Sequence, residues 1–228
     1  MSIRIVDSFF IRRSIHGGYS NNKVDVLFIE LCENNIIDPN DLYNKLISGS
    51  NKSVKWPTDE DISTRLNNED LYNEDESNKI ALMILHQLDM KVAGRWTDEG
   101  EKIQIEHVFP KTESDDWKKE FTPEEYQSMY NLRHRLGNLT LSDYNQVHAQ
   151  KVYDIKRQEY QNLVSYRITR YLADAYDHWD SSVIMERNED LIKDVLEAWP
   201  RDLKTLTTIP KRKQLPKKKK KSKDECES

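Results

Sequence analysis

Cysteine is almost missing from this chain: Cys32 and Cys226 are the only two, near opposite ends of 228 residues. Two thiols cannot build a disulfide framework or a four-cysteine zinc knuckle, and a reducing cytoplasm is the simplest setting. Glycine and proline are also scarce, at six and seven residues, and with charged residues abundant this favours a helical protein over a β-sandwich. No run of about 18 apolar residues occurs, which excludes a membrane-spanning helix. Residues 1–13 interleave Arg4, Asp7, Arg12 and Arg13 with apolar positions, so the uninterrupted apolar stretch of a secretory signal is lacking. No Walker phosphate loop is found. What is present is enough chain for one or two domains with a proper core.

The net charge of −5 hides an asymmetry. Residues 211–228 hold nine Lys and Arg against three acids, about +6, leaving about −11 on residues 1–210. An acidic body does not advertise nonspecific DNA binding, so any DNA contact has to be local or assisted by the tail or another domain.

Apolar spacing predicts helices over 3–15, 24–32 and 39–47, with a glycine turn at Gly17-Gly18 between the first two. Thr58, with Asp61 three residues on, marks another helix start, and 77–90 forms the next helix. The pattern then changes. Residues 102–106 alternate polar and apolar and read as a strand, and 110–116 as a polar loop. Thr122-Pro123-Glu124-Glu125 opens a helix to about Leu132; Gly137 breaks the pattern, and 139–141 reads as a second strand. Ser142 or Asp143 caps a helix expected to reach Tyr160, followed by helices over 163–175 and 183–199. The expected fold is mainly α with a small β-hairpin: a helical lead-in over 1–95, a second subdomain over 96–205, and a basic tail over 206–228 with almost nothing to bury.

Chemistry concentrates in two short motifs, Ile105-Glu106-His107-Val108-Phe109-Pro110 and Leu136-Gly137-Asn138-Leu139-Thr140-Leu141, the second leading to Tyr144-Asn145. Phosphodiester hydrolysis needs an activated water and a stabilised leaving oxygen. A neutral imidazole suits the first task and a divalent cation the second. His107 is the candidate base, Glu106 and the Asn145 carbonyl are candidate oxygen donors to Mg²⁺, and Asn138 can bond the backbone beside His107 to fix the ring. On a strand Glu106 and His107 point to opposite faces, a difficulty that a sharp exit at Pro110 would relieve. His148 shares a helix face with Asn145, and Lys156 returns near that face and could meet a phosphate. The bland alternatives are a surface Glu-His pair, a Gly-Asn turn, and a His134 that is exposed or hydrogen-bonded.

These motifs, with Lys156-Arg157, the lead-in Asp7 to Arg13, Trp56-Pro57, and the run from Ile184 to Pro200, resemble the C-terminal HNH (His-Me finger) nuclease domain of GmrSD-type modification-dependent restriction enzymes. The same domain occurs in SspE-type enzymes that respond to DNA phosphorothioation. The resemblance covers about residues 4–200. It implies a ββα-metal core embedded in helices and a cytoplasmic, metal-dependent endonuclease that nicks or cuts modified double-stranded DNA. By that match His107 is the general base, Glu106 and Asn145 belong to the metal site, Asn138 fills the middle amide position, and Mg²⁺ is the cofactor with Mn²⁺ as alternative. Two departures stand out: Ala149-Gln150 where relatives carry Ser-Asn, and Pro110-Lys111 where they carry Pro-Gln. The full enzymes start with a ParB-like nucleotide-binding domain that this sequence lacks, which fits an excised fragment better than a standalone subunit. Two further readings stand beside the nuclease: a catalytically silent helical module that binds DNA or a partner and regulates an NTPase, and a purely structural interaction protein.

Overall fold

The computed structural model describes residues 2–18, 22–36, 38–48, 54–73, 78–93, 103–112, 114–143 and 150–207. Among them the order is α1 Ser2–His16, α2 Asn22–Glu33, α3 Pro39–Ile47, α4 Asp59–Asn68, α5 Lys79–Ala93, β1 Gln104–His107, α6 Asp115–Glu120 and α7 Pro123–Leu132. A 3₁₀ turn, Leu136–Asn138, leads into β2 Leu139–Ser142, followed by α8 Tyr153–Asn162, α9 Arg167–Ala175, α10 Ser181–Ala198 and α11 Leu203–Thr207. Among the described residues the protein is mainly helical with one small antiparallel sheet, and no helix there is long and apolar enough to cross a membrane.

Local chemistry explains several boundaries. Asp38 caps α3, accepting from the amides of Asn40 and Asp41, and Pro39 supplies the fixed φ of a first helical residue. Thr58 and Asp61 form a reciprocal capping box on α4. Thr122 accepts from the Glu125 amide to start α7, and Asp180 from the Val183 amide to start α10. Gly17 and Gly18 both sit at φ +72°, a left-handed turn that residues with a Cβ resist.

Two apolar clusters organise the helices. Ile5, Phe9, Val24, Leu31, Leu42, Leu46, Val54, Trp56 and Leu206 join α1, α2, α3 and α11. The larger cluster packs Ile62, Leu66, Ile84 and Leu85 of α4 and α5 with Leu139 and Leu141 of β2 and with Leu172, Ile184 and Val195. The sheet lies inside this second cluster. Its register pairs Gln104 with Ser142, Ile105 with Leu141, Glu106 with Thr140 and His107 with Leu139. All four residues of β2 are buried, so both of its faces are covered.

Several boundaries differ from expectation. The strand expected over 102–106 runs from Gln104 to His107, because His107 completes the register opposite Leu139. The strands are not joined by a tight turn: residues 108–138 between them carry α6 and α7. Asp115–Glu120, partly assigned to a polar loop, is helical, anchored by buried Trp117 whose Nε1 donates to the Lys151 carbonyl at 3.0 Å. A continuous helix to Tyr160 does not form. Residues 151 and 152 are not helical and α8 starts at Tyr153, while residues 144–149 lie outside the described residues. The basic tail over 211–228 lies outside them too.

Candidate active site around His107

His107 ends β1 and is 7% exposed. Its Nε2 lies 3.1 Å from Nδ1 of His134, and the two rings share a hydrogen bond. Tyr72 closes the other side: its ring meets His107 edge to face at 4.6 Å and lies nearly parallel to His134 at 5.4 Å. The amides of Leu71 and Tyr72 both donate to the His134 carbonyl, which fixes that segment beside the imidazoles. Burial holds the His107 pKa well below the usual 6.5, and the charges of His134, Lys156, Lys111 and Arg133 push the same way. The ring is therefore neutral at physiological pH, with a lone pair available on one nitrogen. Lys111 is exposed and its ammonium lies 5.6 Å from the Tyr72 ring centroid.

Asn138 is fully buried and all of its side-chain capacity is used. Its Oδ1 accepts from the Phe109 amide at 2.8 Å and from Trp179 Nε1 at 3.1 Å. Its Nδ2 donates to the carbonyls of Phe109 at 2.9 Å and Arg133 at 2.8 Å, and its own carbonyl accepts from the Val108 amide. One residue, through its side chain and its carbonyl, thus clamps the two residues after His107 to the segment that carries His134. The turn beneath Asn138 is held in turn by α10. Asn188 Oδ1 accepts from the Gly137 amide at 2.9 Å, and the buried Arg187 guanidinium donates to the carbonyls of Gly137 and Leu139. Burial brings the Arg187 pKa down to about 10, still charged at neutral pH.

Glu106 points away from this group. Successive strand side chains alternate faces, and its Oε1 accepts from Lys156 Nζ at 2.8 Å and from Tyr160 Oη at 2.9 Å. Lys156 has no exposed surface and also donates to the His107 carbonyl at 2.7 Å. Burial lowers its pKa, an effect the neighbouring Glu106 opposes. Burial likewise raises the Tyr160 pKa well above 10, helped by the same carboxylate. The exit at Pro110 does not bring Glu106 and His107 to one site.

The structure thus joins His107 and Asn138 and separates Glu106 from them. Lys156, expected near a phosphate, lies instead in the interior beneath β1, because Glu106 and a backbone carbonyl draw its ammonium there. Asn145 and His148 lie outside the described residues. Glu106 does not fit a divalent cation in this geometry, since its carboxylate is buried and already neutralised by an ammonium. Tyr72 and Trp179 escaped the sequence reading, while His134, read only as exposed or hydrogen-bonded, and Arg187, inside the run from Ile184 to Pro200, were given no role at the site.

These features define a helical domain built around a neutral, nearly enclosed imidazole at the end of a short strand. The chain belongs to the family of GmrSD restriction endonucleases, C-terminal domain, which matches residues 56–194. It is therefore a domain related to restriction endonucleases, and the match includes every site residue described above. No curated protein matches the sequence.

Proposed function

We propose that this domain is the cutting part of a restriction enzyme acting on modified or foreign double-stranded DNA, with His107 as the general base. The observation that carries the reading is the neutral His107 ring at the end of a strand whose exit is clamped by Asn138, in a chain of this family. The depressed pKa supports a base that is unprotonated at working pH. In the proposed step a water oxygen bonds to phosphorus, its proton passes to His107, and the bond to the 3′ oxygen breaks, the departing 3′ oxygen taking a proton from solvent. Lys111 and Arg133, both close enough to influence His107 electrostatically, would give the phosphate a positive rim on an otherwise acidic body. A requirement for Mg²⁺, with Mn²⁺ as the alternative, belongs to the proposal, and Glu106 is not among the ligands in this geometry. Recognition of the modification would fall to a ParB-like nucleotide-binding partner domain.

The test is nicking of supercoiled plasmid with and without added Mg²⁺ or Mn²⁺. His107→Ala is expected to lose about 10²-fold to 10⁴-fold in rate, the usual contribution of a general base. Equal cutting by parent and variant would refute the assignment. One observation favours a second reading: with Glu106 engaged by Lys156 and Tyr160, the domain could serve as a silent module that binds DNA or a partner and regulates an NTPase. A parent that binds plasmid but never nicks it under any metal condition selects that reading.

A further inference from the structure

Of the lysine and arginine charges that act on His107, Lys156 is neutralised by Glu106, and Lys111 is exposed near the Tyr72 ring. Arg133 is different. It is half-buried, it directly precedes His134, and it has no carboxylate partner among the described residues. On a body carrying about −11, a guanidinium left without an anion beside a candidate base calls for an explanation.

Its orientation is already set. The guanidinium carbon lies 3.8 Å from the Tyr130 ring centroid, and Nη1 donates to the Tyr130 carbonyl at 2.7 Å. The ring face holds the plane of the guanidinium but accepts no hydrogen bond in place of an oxygen. Nε is enclosed without a partner, so Nη2 is the end left for a ligand. The backbone is fixed as well: Asn138 Nδ2 donates to the Arg133 carbonyl at 2.8 Å, and the same side chain holds Phe109, two residues after His107. One asparagine therefore keeps the base and this cation in register. A planar, preset donor whose charge is not cancelled matches the non-bridging oxygens of a phosphodiester.

We propose that Arg133 is a phosphate-binding residue, whose Nη2 end takes a non-bridging oxygen of the scissile phosphate and holds phosphorus before the water that His107 deprotonates. The proposal rests on the nuclease reading for the reaction, whereas the phosphate contact can be measured without cutting.

The experiment uses the full chain as parent, Arg133→Ala and Arg133→Lys. Affinity for a labelled DNA duplex is measured over a range of salt concentrations without divalent metal, and plasmid nicking at saturating protein. Arg133→Ala should reduce the salt slope by about one. Its nicking should slow by about 10²-fold, the scale of one lost transition-state donor. Guanidinium ion at a low, non-denaturing concentration should restore part of that nicking, while equal NaCl should not; a variant that had merely lost its fold would not respond. Arg133→Lys keeps the charge without the plane, so it should keep the parental slope and still nick slowly. An unchanged slope or a parental nicking rate in Arg133→Ala overturns the proposal, as does a loss of nicking that guanidinium leaves unrepaired or parental nicking in Arg133→Lys. A parent that never nicks, with the slope still reduced in Arg133→Ala, removes the nuclease reading and keeps the phosphate contact.

Discussion

Replacing Asn138 by alanine should do far more than an ordinary polar truncation. The side chain makes four hydrogen bonds, to Phe109 N and O, Arg133 O and Trp179 Nε1, in a place with no exposed surface. Each is worth about 0.5–1.5 kcal/mol net, and a buried partner left unsatisfied costs about 1–3 kcal/mol. The Phe109 amide and the Trp179 indole are the partners with least recourse to water. Partial relaxation around them gives an expected loss of about 4 kcal/mol, a large part of the roughly 5–15 kcal/mol that holds a domain folded. At about 2–4 °C per kcal/mol for a chain of this size, the melting midpoint should fall by about 8–16 °C. Urea unfolding followed by tryptophan fluorescence measures the loss, and Trp179 itself reports on the site. Asn138→Asp, which keeps the shape but loses both donors and adds a buried charge, should be at least as unstable. A loss below about 1 kcal/mol for Asn138→Ala would refute the clamp.

Gly137→Ala should be similarly damaging for a different reason: the added Cβ would lie 2.2 Å from the Ile184 carbonyl and 2.8 Å from Asn188 Cβ, driving the turn off α10. A cost of about 3 kcal/mol or more is expected, and a well-folded variant of parental stability would contradict the packing. Lys156→Met strands the Glu106 carboxylate and should cost about 3–5 kcal/mol, with Glu106→Leu added to it restoring much of the loss; a double variant no more stable than the single one refutes that account. Because the native His107 pKa is depressed, the unfolded chain binds a proton below about pH 6.5 that the folded chain refuses. Stability should therefore fall as pH drops through that window, by up to about 1.4 kcal/mol per unit, and the fall should shrink in His107→Asn. His178, raised by Asp177, works in the opposite direction and is unchanged by that substitution. Lys111→Ala should weaken DNA binding and reduce the salt slope by about one, and an unchanged slope would remove Lys111 from the interface.

The parts of the fold that the sequence made legible are those decided locally. Capping at Thr58 and Thr122 and the glycine turn at Gly17-Gly18 depend on near neighbours, and all three appear in the structure. The strand pair was legible too, from alternation around Ile105 and from the short run Leu139 to Leu141 after the break at Gly137. What spacing could not reveal is decided by distant partners. The break before α8 interrupts a stretch with no proline or glycine to announce it, so the expected face shared by Asn145 and Lys156 had no basis in one helix. The direction of Glu106 turned on a lysine 50 residues away, and the enclosure of His107 on Tyr72, which precedes it by a whole helix. A Glu-His pair in sequence therefore did not become a pair in space.

Trp179 reaches back to Asn138, and Tyr72 reaches forward to His107 and His134, from opposite sides of the two motifs in sequence. The motifs consequently cannot be transplanted as a unit. A peptide covering 104–162, which holds both strands and α8, would leave the imidazole pair without its aromatic wall and the asparagine without its indole. A graft that keeps this site's geometry has to begin before Tyr72 and run past Arg187. Swaps between relatives should accordingly exchange the domain whole, with junctions placed outside that span.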